Sequence, residues 1–280
     1  HQHMPVESGR IGGIFAVQPP ANAGRYLQVE AAVRDGGAEF SARLLPVGGI
    51  HREQPYRRLL PLEQAAQRWL DEPVGHLEQA IPPEEKLRAA LHGSAVAALF
   101  NQVQLSHTGA DISCTSLGNE PAGLAASVTM RAITAAYLFS NTLVVLEITE
   151  EILRALLERC ASYFTLENGT PRVSDAFLAP KVEHYNYDFF AGISYQFDLR
   201  QPVGRRLTRL SRLDGTPLGP GPLRLCTSNY RATGTGGYDA LRTCPVLWRG
   251  SVEMPELVAE YVRANSPVSL PCNGRMEAIW

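Results

Sequence analysis

Three groups of residues have types and spacings that could do chemistry. The first is residues 227–240, TSNYRATGTGGYDA, in which Gly234, Gly236 and Gly237 crowd the four positions before Tyr238. Glycine at this density is kept where the backbone must turn tightly or approach something closely. Such a loop can hold an aromatic ring against a flat ligand; the alternative is a tight turn with Tyr238 folded onto the core. The second group is His1-x-His3. Two imidazoles one residue apart can serve a metal site. Three or four ligands are needed, however, and His51, His76, His92, His107 and His184 are too scattered to complete the set. A terminal His-x-His also fits a purification tag. The third is the pair Arg131 and Arg231, whose guanidinium forks could grip phosphate bidentately. Apart from Lys86 and Lys181, all 26 lysine-plus-arginine residues are arginine, so a surface role is the plain alternative for either one.

Two aromatic stretches stand beside these. HYNYDFFAGISYQFD carries Tyr185, Tyr187, Phe189, Phe190, Tyr195 and Phe197, and reads as a strand with bulky inward residues. Phe139 lies in YLFSNT, on a loop expected between a helix and a buried strand. There is no Ser–His–Asp arrangement, no HExxH and no phosphate-cradling glycine loop opening a helix. The five cysteines form no CxxC pair, which speaks against a zinc or redox motif.

Bulk composition sets the frame for these groups. The chain has 280 residues, 45% hydrophobic and 19% charged, enough for a buried core, and a net charge of −2 gives no sign of a nucleic-acid partner. No run of 18 apolar residues exists, so no membrane span is expected. The first residue is His1, so the chain is expected to be a fragment or a processed product.

Strands are expected at residues 11–17, 26–33 and 38–47, forming a β edge. Residues 56–71 switch to helical spacing, with Leu59, Leu62, Ala66, Trp69 and Leu70 on one face and Pro61 near the first turn. Then come a short strand (VGHLEQAI), one long helix over 84–105, a strand at 110–114, a polar loop (TSLGNEPAG) and a helix near 127–137. TLVVLEI, residues 142–148, is a buried-strand run. Thr149 caps the helix that follows, with Glu150 and Glu151 in its first turn. Later segments (ISYQFDL, RLTRLSRL, PLRLCTS) read as strands, and a last helix occupies about 255–264. The expected class is α+β, a mixed α/β domain from residue 73 onward.

Read in order, GADISCTSL, VTMRAITAAYLFSNTLVVLEITEEILRALLERCASYF, YNYDFFAGISYQFDL and TSNYRATGTGGY resemble one family over residues 109–240. It is the C-terminal domain of the 5′-nucleotidase and 2′,3′-cyclic-nucleotide 2′-phosphodiesterase/3′-nucleotidase family. HQHMPV resembles the last metal-binding motif of that family's calcineurin-like metallophosphatase domain, and IGGIFAVQPPANAGRYLQVEAAV its closing strands. The resemblance implies three parts: residues 1–52, the end of the metallophosphatase domain; 53–72, a linker helix; and 73–280, the substrate-binding domain. It implies a phosphoesterase that hydrolyses nucleotides or 2′,3′-cyclic nucleotides to nucleoside and phosphate.

Two divalent metals (zinc, manganese or magnesium type) would activate a water and polarise the phosphate there. His1 and His3 would be native ligands of an incomplete site. The fragment is then expected to bind no metal tightly and to be inactive alone. Its partners would be nucleosides, nucleotides and the missing N-terminal domain, and its setting secreted, periplasmic or cell-wall associated. The base is expected to stack between Phe139 and Tyr238, with Asn141, Asn229 and Arg231 beside them. Many relatives carry Asn-x-Gly-Gly-x-Arg where this chain has TSLGNEPAG, which lacks the arginine; Asn119 is the expected polar substitute. A stand-alone nucleoside-binding module is the rival reading.

Overall fold

The computed structural model describes residues 4–48, 53–270 and 272–280. His1 and His3 lie outside the described residues. The chain divides into two compact units, His1–Gln64 and Ala65–Trp280.

The first unit is built from hairpins. Strands β1 (Val6–Ile11) and β2 (Ile14–Gln18) pair antiparallel about Gly12 and Gly13, whose φ values are 57° and 84°. A two-residue turn with both centres left-handed suits glycine, so the single strand expected over residues 11–17 is split there. β3 (Arg25–Arg34) and β4 (Gly37–Pro46) form a longer hairpin, registered from Arg25↔Pro46 to Arg34↔Gly37. The Leu44 N–H donates to the Glu7 carboxylate at 3.1 Å, and the Phe15 and Phe40 rings stack with centroids 5.7 Å apart. No described residue of this unit is buried; Ile11, Ile14 and Val33 stand open to solvent. Helix α1 (Glu53–Asp71) spans the division. It starts earlier than its pattern suggested, so Pro61 falls in its interior rather than its first turn. Leu59, Leu62 and Trp69 of its apolar face are exposed.

The second unit is three-layered. In order it contains β5 (Pro73–His76), α2 (Lys86–His92), α3 (Ala95–Thr108), β6 (Ile112–Ser116), β7 (Ser127–Thr129), α4 (Met130–Ala136) and β8 (Thr142–Ile148). These are followed by α5 (Glu150–Ala161), β9 (Phe164–Glu167), β10 (Thr170–Val173), β11 (Asp188–Ala191), β12 (Ile193–Asp198) and β13 (Leu207–Arg212). The last elements are β14 (Leu223–Ser228), α6 (Asn229–Ala232), β15 (Val246–Glu253), α7 (Met254–Asn265) and β16 (Arg275–Ile279). The central sheet runs β11-β6-β14-β8-β15, with β6 and β14 parallel and the other neighbours antiparallel.

β8 shows why this sheet is the middle layer. Leu143 and Val145 belong to one buried cluster, with the apolar faces of α3, α4 and α7. Val144, Leu146 and Ile148 belong to the other, with α5 and the strands of a second sheet, β13-β12-β16. Successive strand residues point to opposite faces, so a strand covered on both sides must be apolar throughout. This is the TLVVLEI run.

Local chemistry redraws several expected boundaries. Residues 84–105 make two helices, because Gly93 (φ 90°) turns the chain out of α2 and Ser94 caps α3. The two acids at the start serve different helices: Glu85 accepts from Leu87 and Arg88 N–H groups, and Glu84 from the Ala95 N–H. The expected helix over 127–137 begins as β7, and Thr129 caps α4. Thr149 caps α5, accepting from the Ile152 N–H at 3.3 Å. The aromatic strand breaks at Gly192 (φ 88°) into β11 and β12, which lie in different sheets. A Cβ at Gly192 would meet the Asp111 carbonyl oxygen at 2.2 Å.

Candidate functional site

Topology brings the candidate residues to one edge of the central sheet. β6 and β14 run parallel and end together, while β8 and β11 run against them and begin there. The registers Ser228↔Leu143 and Asp188↔Ser116 mark that edge. Four connections therefore meet: residues 117–120 after β6, 137–141 before β8, 181–187 before β11 and the start of α6 after β14. They carry Asn119, Phe139 with Asn141, Tyr185, and Asn229 with Tyr230.

Asn119 and Asn229 tie these connections to neighbouring segments, and Asn141 braces its own. The Asn119 Nδ2 donates to the Val182 carbonyl at 2.9 Å, and its buried Oδ1 has no partner. The Asn141 Nδ2 lies 3.4 Å from the Tyr137 hydroxyl, and its carbonyl accepts from the Met254 N–H. The Asn229 Oδ1 accepts from the Thr142 N–H at 3.2 Å and from the Tyr230 N–H at 3.0 Å, binding the start of α6 to the start of β8.

Arg231 is placed differently from the expectation of a ligand contact. Its side chain and that of Asp188 are 3% and 1% exposed, and they form a two-pronged ion pair, Nε to Oδ2 and Nη2 to Oδ1, each at 2.9 Å. The remaining N–H groups go to the Tyr185 carbonyl (2.9 Å), the Thr235 carbonyl (2.6 Å) and the Asn186 Oδ1 (3.5 Å). A guanidinium has five N–H donors, and all five are engaged within the protein. Burial disfavours its charge, but the Asp188 carboxylate beside it outweighs that and holds its pKa above the usual value. Arg131 is also engaged, with Asp71 Oδ1 at 2.7 Å and Gln67 Oε1 at 2.6 Å.

Tyr238 lies in the core, 1% exposed. Its hydroxyl donates to the Asn186 carbonyl at 3.2 Å and lies 3.0 Å from Cys160 Sγ, and Arg231 Cζ sits 4.2 Å from the ring centroid. Burial pushes its phenol well above the usual range. A ring so enclosed has no face open to a base, which corrects the expectation that Tyr238 stacks one. The glycines before it also receive protein rather than ligand. A Cβ on Gly236 (φ 81°) would meet Asn186 Oδ1 at 2.2 Å and Arg231 Nη1 at 2.4 Å; one on Gly237 (φ 88°) would meet Arg159 Nε at 2.3 Å.

The accessible rings at this edge are Phe139, Tyr185 and Tyr230. Phe139 is half-buried and meets Tyr137 and Tyr185 edge-on, with centroids 6.2 and 6.3 Å away. Tyr230 is 41% exposed, and the Arg231 guanidinium lies 5.8 Å from its centroid. Tyr185 carries a polar rim. Its hydroxyl accepts from Lys181 Nζ and donates to Glu183 Oε1, each at 3.1 Å. Tyr230 was missed in the sequence although it follows Asn229 directly. A cue was available: Ser228 both ends β14 and caps α6, so a tyrosine two residues later lies in the short helix rather than in the sheet.

A profile described as 5′-nucleotidase, C-terminal domain, matches residues 73–243. The chain belongs to this family. The 2′,3′-cyclic-nucleotide 2′-phosphodiesterase/3′-nucleotidase of Haemophilus influenzae is 23% identical over 258 residues, which is 79% of this chain and 38% of that protein. The trifunctional nucleotide phosphoesterase protein YfkN of Bacillus subtilis is 27% identical over 139 residues, 45% of this chain and 9% of its own length. A Staphylococcus aureus protein assigned as a 5′-nucleotidase, solved with α-ketoglutarate, superposes with a TM-score of 0.85 at 26% identity. That match covers 99% of this chain and 55% of the other. The chain thus spans only part of each relative's length. Both sequence relatives are nucleotide phosphoesterases, hydrolases by class, and the mixed α/β architecture of this 5′-nucleotidase C-terminal domain is that of the solved structure. No helix among the described residues is long and apolar enough to cross a membrane.

Proposed function

We propose that this 5′-nucleotidase C-terminal domain binds the nucleoside part of a nucleotide substrate for a metal-dependent phosphoesterase. The observation that carries the reading is the set of accessible rings, Phe139, Tyr185 and Tyr230, on three connections at one sheet edge. Nucleobases present π faces whatever their identity, and stacking on a side chain is worth about 1–3 kcal/mol per base. Phe139 and Tyr230 offer the stacking faces, and Tyr185, set edge-on to Phe139, walls the slot. Asn141 and Asn229 position the two ring-bearing connections, Asn119 holds the third, and Arg231 acts from below by fixing the backbone.

Most of the metal chemistry would belong to residues outside this chain, with His1 and His3 as the ligands this chain contributes. Among the described residues no group of three or more His, Cys, Asp or Glu side chains could hold a metal ion. Two divalent metals would be held by the metallophosphatase part of the whole protein, of which the first unit would form the closing segment. The proposed setting is outside the cytoplasm, as for nucleotide-scavenging phosphoesterases.

Calorimetric titration with adenosine tests the base slot. Saturable binding by the wild type should fall at least about fivefold in Tyr230→Ala and in Phe139→Ala, in line with stacking energies of about 1–3 kcal/mol. Full affinity in both variants, with the fold intact by circular dichroism, would remove the slot.

A further inference from the structure

The cations around the accessible rings differ in what they have left to offer. Arg231 has no free N–H. Arg159 donates to the Gly236 carbonyl and to Ser162 Oγ, each at 2.9 Å, and lies over the Phe177 ring. Lys86 is half-buried and donates to the Gly118 carbonyl. Lys181 alone among these four stands exposed. An ammonium has three donors, and the bond found for Lys181 goes to a neutral acceptor, the Tyr185 hydroxyl.

Its position is defined against Tyr185. Lys181 Nζ lies 5.4 Å from the Tyr185 centroid, so it sits at the wall of the slot. The hydrogen bond to Tyr185 raises its pKa, and Tyr185 in turn donates to Glu183 Oε1, so Lys181 belongs to the polar rim of that ring. Its backbone is held by the neighbouring anchor between Asn119 and the Val182 carbonyl. A lysine is a compact, strongly hydrated charge on a flexible stem and recognises phosphate as a point charge.

We propose that Lys181 is the group with which this domain holds the phosphate of a nucleotide whose base lies between Phe139 and Tyr230. The proposal rests on the base-slot reading and narrows the ligand class from nucleosides to nucleoside phosphates. Lys181 then sets affinity for the charged substrate over its dephosphorylated product, and product release follows from loss of this one contact.

The test is calorimetric titration of the full 280-residue chain with adenosine and with adenosine 3′-monophosphate, for wild type, Lys181→Met and Lys181→Arg. The monophosphate should bind the wild type about tenfold more tightly than adenosine, the factor that about 1.4 kcal/mol supplies. Lys181→Met should erase that advantage, lowering affinity for the monophosphate about tenfold more than affinity for adenosine, and Lys181→Arg should restore most of it. Raising ionic strength from about 0.01 M to about 0.15 M shortens screening from about 30 Å to about 8 Å, so the advantage should shrink with salt in the wild type and in Lys181→Arg but not in Lys181→Met. An advantage that survives in Lys181→Met overturns the proposal. So does an equal loss for both ligands, which would assign Lys181 to the base or sugar. Absence of adenosine binding by every form would instead sink the base slot, and this inference with it.

Discussion

Replacing Arg231 by methionine removes all five N–H groups that the Asp188 carboxylate, two backbone carbonyls and Asn186 now share. The Asp188 side chain, 1% exposed, would then be a buried charge without its partner. Removing one member of such a pair costs about 3–5 kcal/mol. A unit of this size loses about 2–4 °C of melting temperature per kcal/mol, so the transition should fall by about 6–20 °C. Thermal melts by circular dichroism, with urea titrations for the free energy, would measure it. The companion Asp188→Leu should cost a similar amount. The double variant should cost less than the sum by about 1–3 kcal/mol, the coupling expected for residues in one hydrogen-bonded network. A different pattern would refute the argument. If Arg231→Met melted with the wild type but no longer bound adenosine, the guanidinium would be a ligand group and not an internal brace.

Four further outcomes follow from the same structure. Tyr238→Phe keeps the ring but leaves the Asn186 carbonyl short of a donor; urea unfolding should show a loss of about 1–3 kcal/mol, with adenosine affinity retained. Gly236→Ala must place a Cβ at φ 81° against Asn186 and Arg231, and should lower stability by more than the roughly 1–2 kcal/mol of a left-handed residue alone, read by thermal melts. Lys86 has its pKa held down to about 8, first by burial, against the fields of Glu120 and Glu85. The unfolded chain then binds more protons than the folded one between pH 8 and 10.5, so stability relative to Lys86→Met should rise across that window, measured by urea midpoints at several pH values. Because no described residue of the first unit is buried, a chain beginning at Ala65 should melt within about 2–4 °C of the full one, the equivalent of about 1 kcal/mol.

Much of the architecture could be read from patterns that have a single physical cause. The TLVVLEI run identified a strand covered on both faces, and Thr149 with its two glutamates marked the start of α5. Breaks hidden inside a continuous pattern were harder. Gly93 and Gly192 interrupt apolar runs that otherwise read as one helix and one strand, and only the close approach of Asp111 shows why Gly192 must turn. That Asn119, Phe139, Asn141 and Asn229 would meet at one sheet edge follows from the order of strands and loops, but which rings stay accessible there does not. A tyrosine after three glycines has the same sequence signature whether the glycines make room for a ligand or for Arg231, Asn186 and Arg159. Nor could sequence show that Arg231 would find Asp188, 43 positions away, as its ion-pair partner.

The saturated guanidinium of Arg231 also separates two environments within one short segment. Tyr230 and Arg231 are adjacent, yet one is open to solvent and the other is locked into the interior. Changes at Tyr230 would therefore alter the proposed base slot without threatening folding, whereas changes at Arg231 threaten folding. A library randomised at the exposed positions alone should remain almost entirely folded while its preferences diverge. The same brace would then let a lineage drift from one nucleotide to another by surface substitutions, with the internal framework carried along unchanged.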